Sequence, residues 1–262
     1  MLQVRPATIS DLKQILYFID EAAAWLRTKG TNQWASPWPD RDARDARVER
    51  DLRGRRTWMV EDDGIPIATI TCRPHGSPSL WTESQRADVA VYVSRLIVSR
   101  SYSGRGLGAE LIDWAGRSAK QQYGARWIRI DVWTTNIALH NYYERQGFCF
   151  LKFCEDINYP SAALFQKATA NSEAADILRL KDEPELVKPS QAEDDQDTPI
   201  VRDGSRVRVL SAAKRFAAHP YARRQLVFAT SFKILGKACA YVPRAALPRH
   251  EGAIRRASKR RR

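Results

Sequence analysis

Three glycines, Gly104, Gly106 and Gly108, lie between an apolar run at 89–98 and a stretch with helical spacing of apolar residues. Glycine permits a tight turn and a close approach of backbone N–H groups to a ligand. The N-terminus of a helix adds free N–H groups and a partial positive charge. The spacing differs from that of a P-loop and of the dinucleotide fingerprint. We therefore expect some other phosphate-bearing nucleotide or coenzyme at this turn.

A second group of residues follows a predicted strand at 126–133, in which apolar and polar residues alternate. Asn136 stands at the start of a helical stretch, 137–146, which Gly147 ends. Asn136 and Tyr143 are two helical turns apart, so both are expected on one side of this helix. The neighbouring Tyr142 is expected to face elsewhere.

Together the two motifs resemble the GNAT superfamily of acetyl-CoA-dependent N-acetyltransferases. The segment from Ser103 to Gly108 is similar to the family's cofactor loop, Arg/Gln-x-x-Gly-x-Gly/Ala, with Ser103 in place of the Arg or Gln. Residues 136–148 are similar to its later motif, Asn-x-x-Ala-x-x-x-Tyr-x-x-x-Gly-Phe, with Leu139 in place of the Ala. The resemblance covers residues from about 4 to about 167.

The resemblance implies acetyl-CoA as co-substrate, no metal, and Tyr143 as the general acid close to the CoA sulfur. It also implies that backbone N–H groups of Leu96 and Val98 pair with the pantetheine arm and polarise the thioester carbonyl. The cofactor-binding residues implied are Leu96, Ile97, Val98, Ser103, Gly104, Arg105, Gly106, Leu107, Gly108, Asn136 and Tyr143.

A general base must be an acid or a water chain near the amine. The candidates are Glu83 and Asp88, before the predicted central strand, and Asp131 on the next strand. The sequence does not choose among them, since each is also typical of a solvated carboxylate. Asn136 has the ordinary alternative of a helix N-cap, and Tyr143 that of a core tyrosine.

Four tryptophans are candidates for an aromatic wall at the acceptor site: Trp25, Trp34, Trp38 and Trp133. Such a wall suits an apolar or a cationic acceptor, the latter through cation–π contact. The alternative is that these rings fill a core and a proline-stiffened loop.

Other patterns in the sequence predict the helices and strands that would position the candidate site residues. A capping box at Thr8–Asp11 opens a first helix at 9–26, and a charged stretch at 40–53 predicts a short solvated helix. An Asp63-Gly64 turn joins two strands as a hairpin. The order β-α-α-β-β-β-α-β-α-β-β predicts an α/β fold with a mixed, mostly antiparallel central sheet flanked by helices.

Charge divides the chain into three parts. We expect an N-acetyltransferase domain at 1–168, an acidic linker without fixed structure at 169–199, and a basic extension at 200–262. The extension has seventeen Lys and Arg against two acids, and residues 221–241 have the spacing of an amphipathic helix. It is either a disordered tail or a contact for nucleic acid, a ribosome or an anionic membrane surface.

The four cysteines form no Cys-x-x-Cys pair, which indicates a reducing cytoplasm and no zinc site. No apolar run is long enough to span a membrane, and Met1 is followed at once by the first strand, so neither a transmembrane segment nor a signal peptide is expected. A dimer is compatible with the sequence.

Two functions are therefore open. One is acetyl transfer from acetyl-CoA to a primary amine of a small molecule, peptide or protein by direct attack. The other is a non-catalytic CoA-binding protein whose basic tail docks to a polyanion.

Overall fold

The computed structural model describes residues 2–154, 159–171 and 185–189. Its centre is a seven-stranded sheet in the order β1-β2-β3-β4-β5-β7-β6. The strands are β1 (Leu2–Pro6), β2 (Thr57–Asp62), β3 (Ile65–Arg73), β4 (Ala90–Val98), β5 (Trp127–Val132), β6 (Cys149–Phe153) and β7 (Ala163–Ala168). All neighbouring strands are antiparallel except β4 and β5, which are parallel. The predicted mixed, mostly antiparallel sheet is confirmed.

Within the described residues, five α-helices accompany the sheet: α1 (Leu12–Thr28), α2 (Arg41–Arg53), α3 (Glu83–Ala87), α4 (Leu107–Tyr123) and α5 (Ile137–Arg145). Helices α1 and α2 share one apolar cluster with Met59 and Ile97. Helix α4 lies in a second cluster, and tyrosines of α5 pack against it. Only α3 was missed, because five residues are too few to show a helical period. Its capping box at Thr82 and Gln85 was the available signal.

Helix α2 is less solvated than its charge predicts. Val48, Asp51 and Leu52 are each no more than 3 % exposed. They lie on one side of the helix, since residues three, four and seven apart share a face. The buried aspartate on this face means that α2 brings charge to the interior. The predicted short helix is present, but it is partly buried instead of solvated.

The sheet parts between β4 and β5. Their parallel pairing runs from Ala90 with Trp127 to Val93 with Ile130 and ends there. Beyond this point β4 continues beside β3, and β5 continues beside β7. Arg95, just past the last pair, has a left-handed φ of 45°. That local distortion turns the second half of β4 away from β5 and opens a wedge in the middle of the sheet.

A short segment after the last strand, residues 185–189, packs on this core. Leu186 is 2 % exposed, and its N–H donates to Oε1 of Gln122 at 2.6 Å. The Pro189 carbonyl lies 3.1 Å from Nε2 of His75. These residues belong to the segment predicted as an acidic linker. The rest of that linker beyond the short turn Thr169–Asn171, and all of the predicted basic extension with its helix, lie outside the described residues.

No helix among the described residues is long and apolar enough to cross a membrane. Within the same residues, no group of three or more His, Cys, Asp or Glu is placed to hold a metal ion.

Candidate active site

A cavity of about 1080 Å³ occupies the wedge between β4 and β5. It is lined from one face of the sheet by α1 and α2, and from the other by the start of α4 and by α5. All but one of the predicted cofactor-binding residues line it: Leu96, Ile97, Val98, Ser103, Gly104, Gly106, Leu107, Gly108, Asn136 and Tyr143. Arg105 is the exception, and its guanidinium lies 4.6 Å over the ring of Tyr102.

Beyond Val93, no described strand pairs with the edge of β4 that faces the cavity. The Ser99 N–H donates to the Ile67 carbonyl at 2.7 Å, on the β3 side. Successive N–H groups of a strand point to opposite edges, so the amides of Leu96 and Val98 point to the side where pairing with β5 has ended. The amide of Ile97 points to β3, and its side chain packs in the core shared with α1 and α2.

The glycine turn has the geometry of an anion site. Gly104 and Gly106 have φ of 80° and 82°, a conformation that other residues rarely adopt. Gly106 is the N-cap of α4 and supplies no side-chain cap. The N–H groups of Gly104, Gly106 and Gly108 make no backbone hydrogen bond to another described residue. A phosphate would therefore find several free donors at the positive end of the α4 dipole.

Two tyrosines of α5 line the cavity together. The rings of Tyr142 and Tyr143 are 5.3 Å apart in an edge-to-face arrangement. Burial, followed by the nearby Tyr142 and Asp131, raises the pKa of Tyr143 above its ordinary value, so its phenol keeps its proton. The expectation that Tyr142 faces elsewhere is wrong. Side chains about 100° apart on a short helix can both reach a concave wall, and a Cβ on Gly108 would lie 3.0 Å from Oη of Tyr142.

Asn136 caps α5 and also forms part of the cavity wall. Its side-chain oxygen accepts from the Leu139 N–H at 3.1 Å, and its amide nitrogen donates to Oε1 of Gln33 at 2.6 Å. Asn136 is therefore both the N-cap of α5 and a residue of the cavity wall.

Of the three candidate bases, only Asp131 lines the cavity. Oδ2 of Asp131 accepts from the Tyr159 hydroxyl at 3.3 Å. Asp88 is instead paired with the buried guanidinium of Arg129 at 2.8 Å. Glu83 is exposed in the first turn of α3. The structure therefore separates carboxylates that the sequence leaves equivalent.

All four predicted tryptophans line the cavity. Two of the rings already have cationic neighbours, because the Arg100 guanidinium lies 3.9 Å over Trp25 and that of Arg47 lies 5.4 Å over Trp38. A cationic acceptor would have to compete with these side chains, which weakens the expectation of cation–π binding.

The sequence interpretation missed several polar residues of the wall, namely Arg44, Arg47, Arg73, Ser94, Arg95 and Tyr159. The signal for those on α2 was the spacing of Arg44, Arg47 and Asp51, which places them on one face. A charged helix with a polar inward face looks like a solvated helix when only apolar positions are counted.

Comparisons with known proteins agree with this geometry. The sequence model of the Acetyltransferase (GNAT) family matches residues 19–148. The uncharacterized N-acetyltransferase YesJ of Bacillus subtilis (strain 168) is 30% identical over 150 residues, which are 56% of this chain and 81% of the relative.

Two solved structures share the fold. A GNAT-family acetyltransferase from Listeria monocytogenes 4b F2365 matches 64% of this chain and 94% of its own, with a TM-score of 0.53 and 26% identity. Another from Streptococcus agalactiae 2603 matches 64% and 95%, with a TM-score of 0.50 and 18% identity. The family model and the 30% identity to YesJ over most of that relative's length establish that the chain belongs to the GNAT family of acetyl-CoA-dependent acyltransferases.

Proposed function

We propose that the protein transfers an acetyl group from acetyl-CoA directly to a primary amine of a small molecule, peptide or protein, with Tyr143 as general acid and Asp131 as general base. The observation that carries the proposal is that Tyr143, Asp131 and the free amides of the glycine turn line one cavity. One cavity thereby offers a proton donor, a proton acceptor and, for the far end of the coenzyme, an anion site.

The residues present fit a CoA thioester. The N–H groups of Gly104, Gly106 and Gly108 would hold the pyrophosphate, and those of Leu96 and Val98 would bond the pantetheine arm as a strand edge bonds an added strand. When bound, acetyl-CoA supplies an acetyl carbonyl activated by a thiolate leaving group.

Each protein group then has a definite task. Asp131 would take the proton that the attacking nitrogen must lose, and an N–H of the β4 edge would stabilise negative charge on the carbonyl oxygen. Tyr143 would give its phenol proton to the sulfur as the carbon–sulfur bond breaks. The products are an amide and a free thiol, and the proton held on Asp131 restores the phenol through the cavity or the solvent.

The first experiment is thiol release from acetyl-CoA by the full chain over a panel of primary amines. Tyr143→Phe is expected to lower kcat by about a hundredfold or more, the usual size of a general-acid contribution. Tyr17→Phe is the matched control, since Tyr17 is 59% exposed on α1. Equal losses in the two variants would contradict the role of Tyr143.

The same assay tests the base. Asp131→Asn is expected to lower kcat/KM about a hundredfold at neutral pH and to recover partly at higher pH, where more of the amine is already neutral. Glu83→Gln, at an exposed carboxylate away from the cavity, is the control. A larger loss in Glu83→Gln than in Asp131→Asn would reverse the assignment.

The alternative of coenzyme binding without turnover predicts that acetyl-CoA binds while no amine releases thiol. Its docking tail lies outside the described residues, so no described contact favours it.

A further inference from the structure

The acceptor side of the cavity, which we define as the part lined by α2, the end of β3 and β4 as far as Arg95, is rich in guanidinium groups. Its wall includes Arg44, Arg47, Arg73 and Arg95. Asp131 is the one carboxylate among the described residues that line the whole cavity. A cleft with walls of one charge sign concentrates ligands of the opposite sign. The four guanidiniums outnumber the three described carboxylates that pair with them, Asp20, Asp45 and Asp51, so the charge on this side favours an anionic group.

Two of these guanidiniums are fixed in place by a buried acid. Asp51 is 1 % exposed. Arg73 donates to its two oxygens at 2.8 and 2.7 Å in a bidentate pair, and Arg95 contacts the same carboxylate. A bidentate pair of this kind restricts long side chains, so these positive groups are held at the wall before any ligand arrives.

The guanidinium of Arg44 has one nitrogen that donates to no described acceptor. Its Nε bonds to Asp45 and its Nη1 to Asp20, both at 2.7 Å. Its Nη2 is buried and has no hydrogen-bond partner among the described residues. A buried donor without an acceptor is unfavourable until a ligand supplies one.

The hydroxyls of Ser77 and Ser94 are in the same situation. Each oxygen is buried without a hydrogen-bond partner in the described part of the chain, and both residues line the cavity. Ser94 lies opposite Thr71 in the β3–β4 pairing, two residues before Leu96, whose amide faces the open edge. Hydrogen-bond donors therefore remain on both the helix side and the strand side of the acceptor side.

We infer that the acceptor amine also carries an anionic group, a carboxylate, phosphate or phosphonate, which accepts hydrogen bonds from Nη2 of Arg44 and Oγ of Ser94. The planar guanidinium suits the paired oxygens of such groups. The inference rests on the proposed function and names the class of its acceptor: an amino acid or a small amine with a phosphorus oxyacid, in preference to a diamine or polyamine.

The test compares matched amines with the full chain and saturating acetyl-CoA. Each of a set of α-amino acids is paired with its carboxamide, 2-aminoethylphosphonate is paired with ethanolamine, and putrescine represents the dications. The preferred anionic amine is expected to exceed its neutral partner in kcat/KM by roughly tenfold to a hundredfold, the range of one charge-assisted hydrogen bond. The carboxylate and phosphonate arms distinguish the two anion types. Preference for the neutral partners or for putrescine overturns the inference.

Substitutions in the acceptor side test which residues bind the anionic group. Arg44→Gln is expected to raise KM for the anionic amine at least about tenfold while KM for its neutral partner and for acetyl-CoA stays unchanged. Arg44→Lys keeps the positive charge but loses the planar guanidinium, so its KM for the anionic amine should lie between those of the wild type and Arg44→Gln. Arg41→Gln is the control, on the same helix with its side chain 65% exposed.

Ser94→Ala provides a second, smaller change should Arg44→Gln fail to fold, and it should also reduce the preference for the anionic member. If folded Arg44→Gln prefers the anionic amine as strongly as the wild type does, the inference is overturned. If Arg44→Gln does not fold, the same result in Ser94→Ala overturns it. Turnover of neutral or dicationic amines alone rejects this acceptor class and leaves the acetyltransferase intact. Absence of thiol release with every amine, while acetyl-CoA still binds, rejects the proposed function and the acceptor class together.

Discussion

Burial gives Tyr143 a property that its position in the sequence does not. Desolvation disfavours the phenolate, and the pKa of Tyr143 therefore lies above its ordinary value of 10. The protonated form, which a general acid needs, thus persists to higher pH than it would on an exposed tyrosine.

This has a measurable consequence for the pH dependence of kcat. Because a raised pKa extends the protonated form upward, kcat at saturating substrates should show no loss from deprotonation of Tyr143 between pH 7 and its ordinary pKa of 10. The measurement is a pH–rate profile of the wild-type chain, with Tyr143→Phe as reference. A fall centred below pH 10 that is absent from Tyr143→Phe would show that the phenol ionises normally and would count against this role.

At the scale of residues, the sequence predicts those site residues whose type follows from a turn or a helix end. Gly104 and Gly106 adopt a left-handed φ, which favours glycine, and Asn136 precedes the helix that it caps. The spacing of residues along the chain does not show which side chains pair with each other in the fold. Asp88 and Asp131 look alike in the sequence, and only the fold shows that Arg129 holds the first while the second lines the cavity.

At the scale of elements, α2 is held to the sheet by charge as well as by apolar contact. Its buried Asp51 bonds to Arg73 and Arg95 from β3 and β4, and Arg56 lies 3.7 Å away. Removal of one member of a buried ionic group leaves the others without compensation, which costs more than the intact group contributes.

Asp51→Asn is therefore expected to lower the free energy of unfolding by about 3–5 kcal/mol. Urea denaturation followed by circular dichroism measures the change. Glu49→Gln is the control on the same helix: Glu49 is 39% exposed and pairs with Arg53, so its loss should cost less than about 1 kcal/mol. A loss at Asp51 no larger than that at Glu49 would mean that the group does not hold α2 in place.

Most element boundaries could be predicted because apolar periodicity reports directly which face is buried. Leu107, Leu111, Ala115 and Ala119 form such a row on α4, and all four are buried. The two failures have different causes. Helix α2 turns the polar Asp51 to the interior, and a polar interior face has no apolar period to detect. Helix α3 has only five residues, too few to show any period.

At the scale of the whole molecule, the core extends beyond the last strand. Leu186 enters the main apolar cluster although it lies in a stretch whose acidic composition predicts a solvated linker. A single leucine in a polar stretch carries no periodic signal, so its docking could not be read from the sequence.

Leu186→Ala is expected to lower the free energy of unfolding by about 2–4 kcal/mol, as for other buried leucines. The matched control is Val187→Ala, because Val187 is only partly buried. Thermal and urea denaturation of the full chain measure both. Equal, small effects would show that the segment contributes little to the core.

The parting of β4 and β5 has a consequence for how such an enzyme can diversify. The coenzyme would be held mainly by main-chain amides of β4 and the glycine turn, which almost any side chains elsewhere leave intact. The opposite wall is made of side chains on α2, on β3 and on the connection between α1 and α2 that carries Trp34 and Trp38, and none of these elements supplies those amides. Mutation can therefore exchange one acceptor for another on this wall while the acyl donor remains the same.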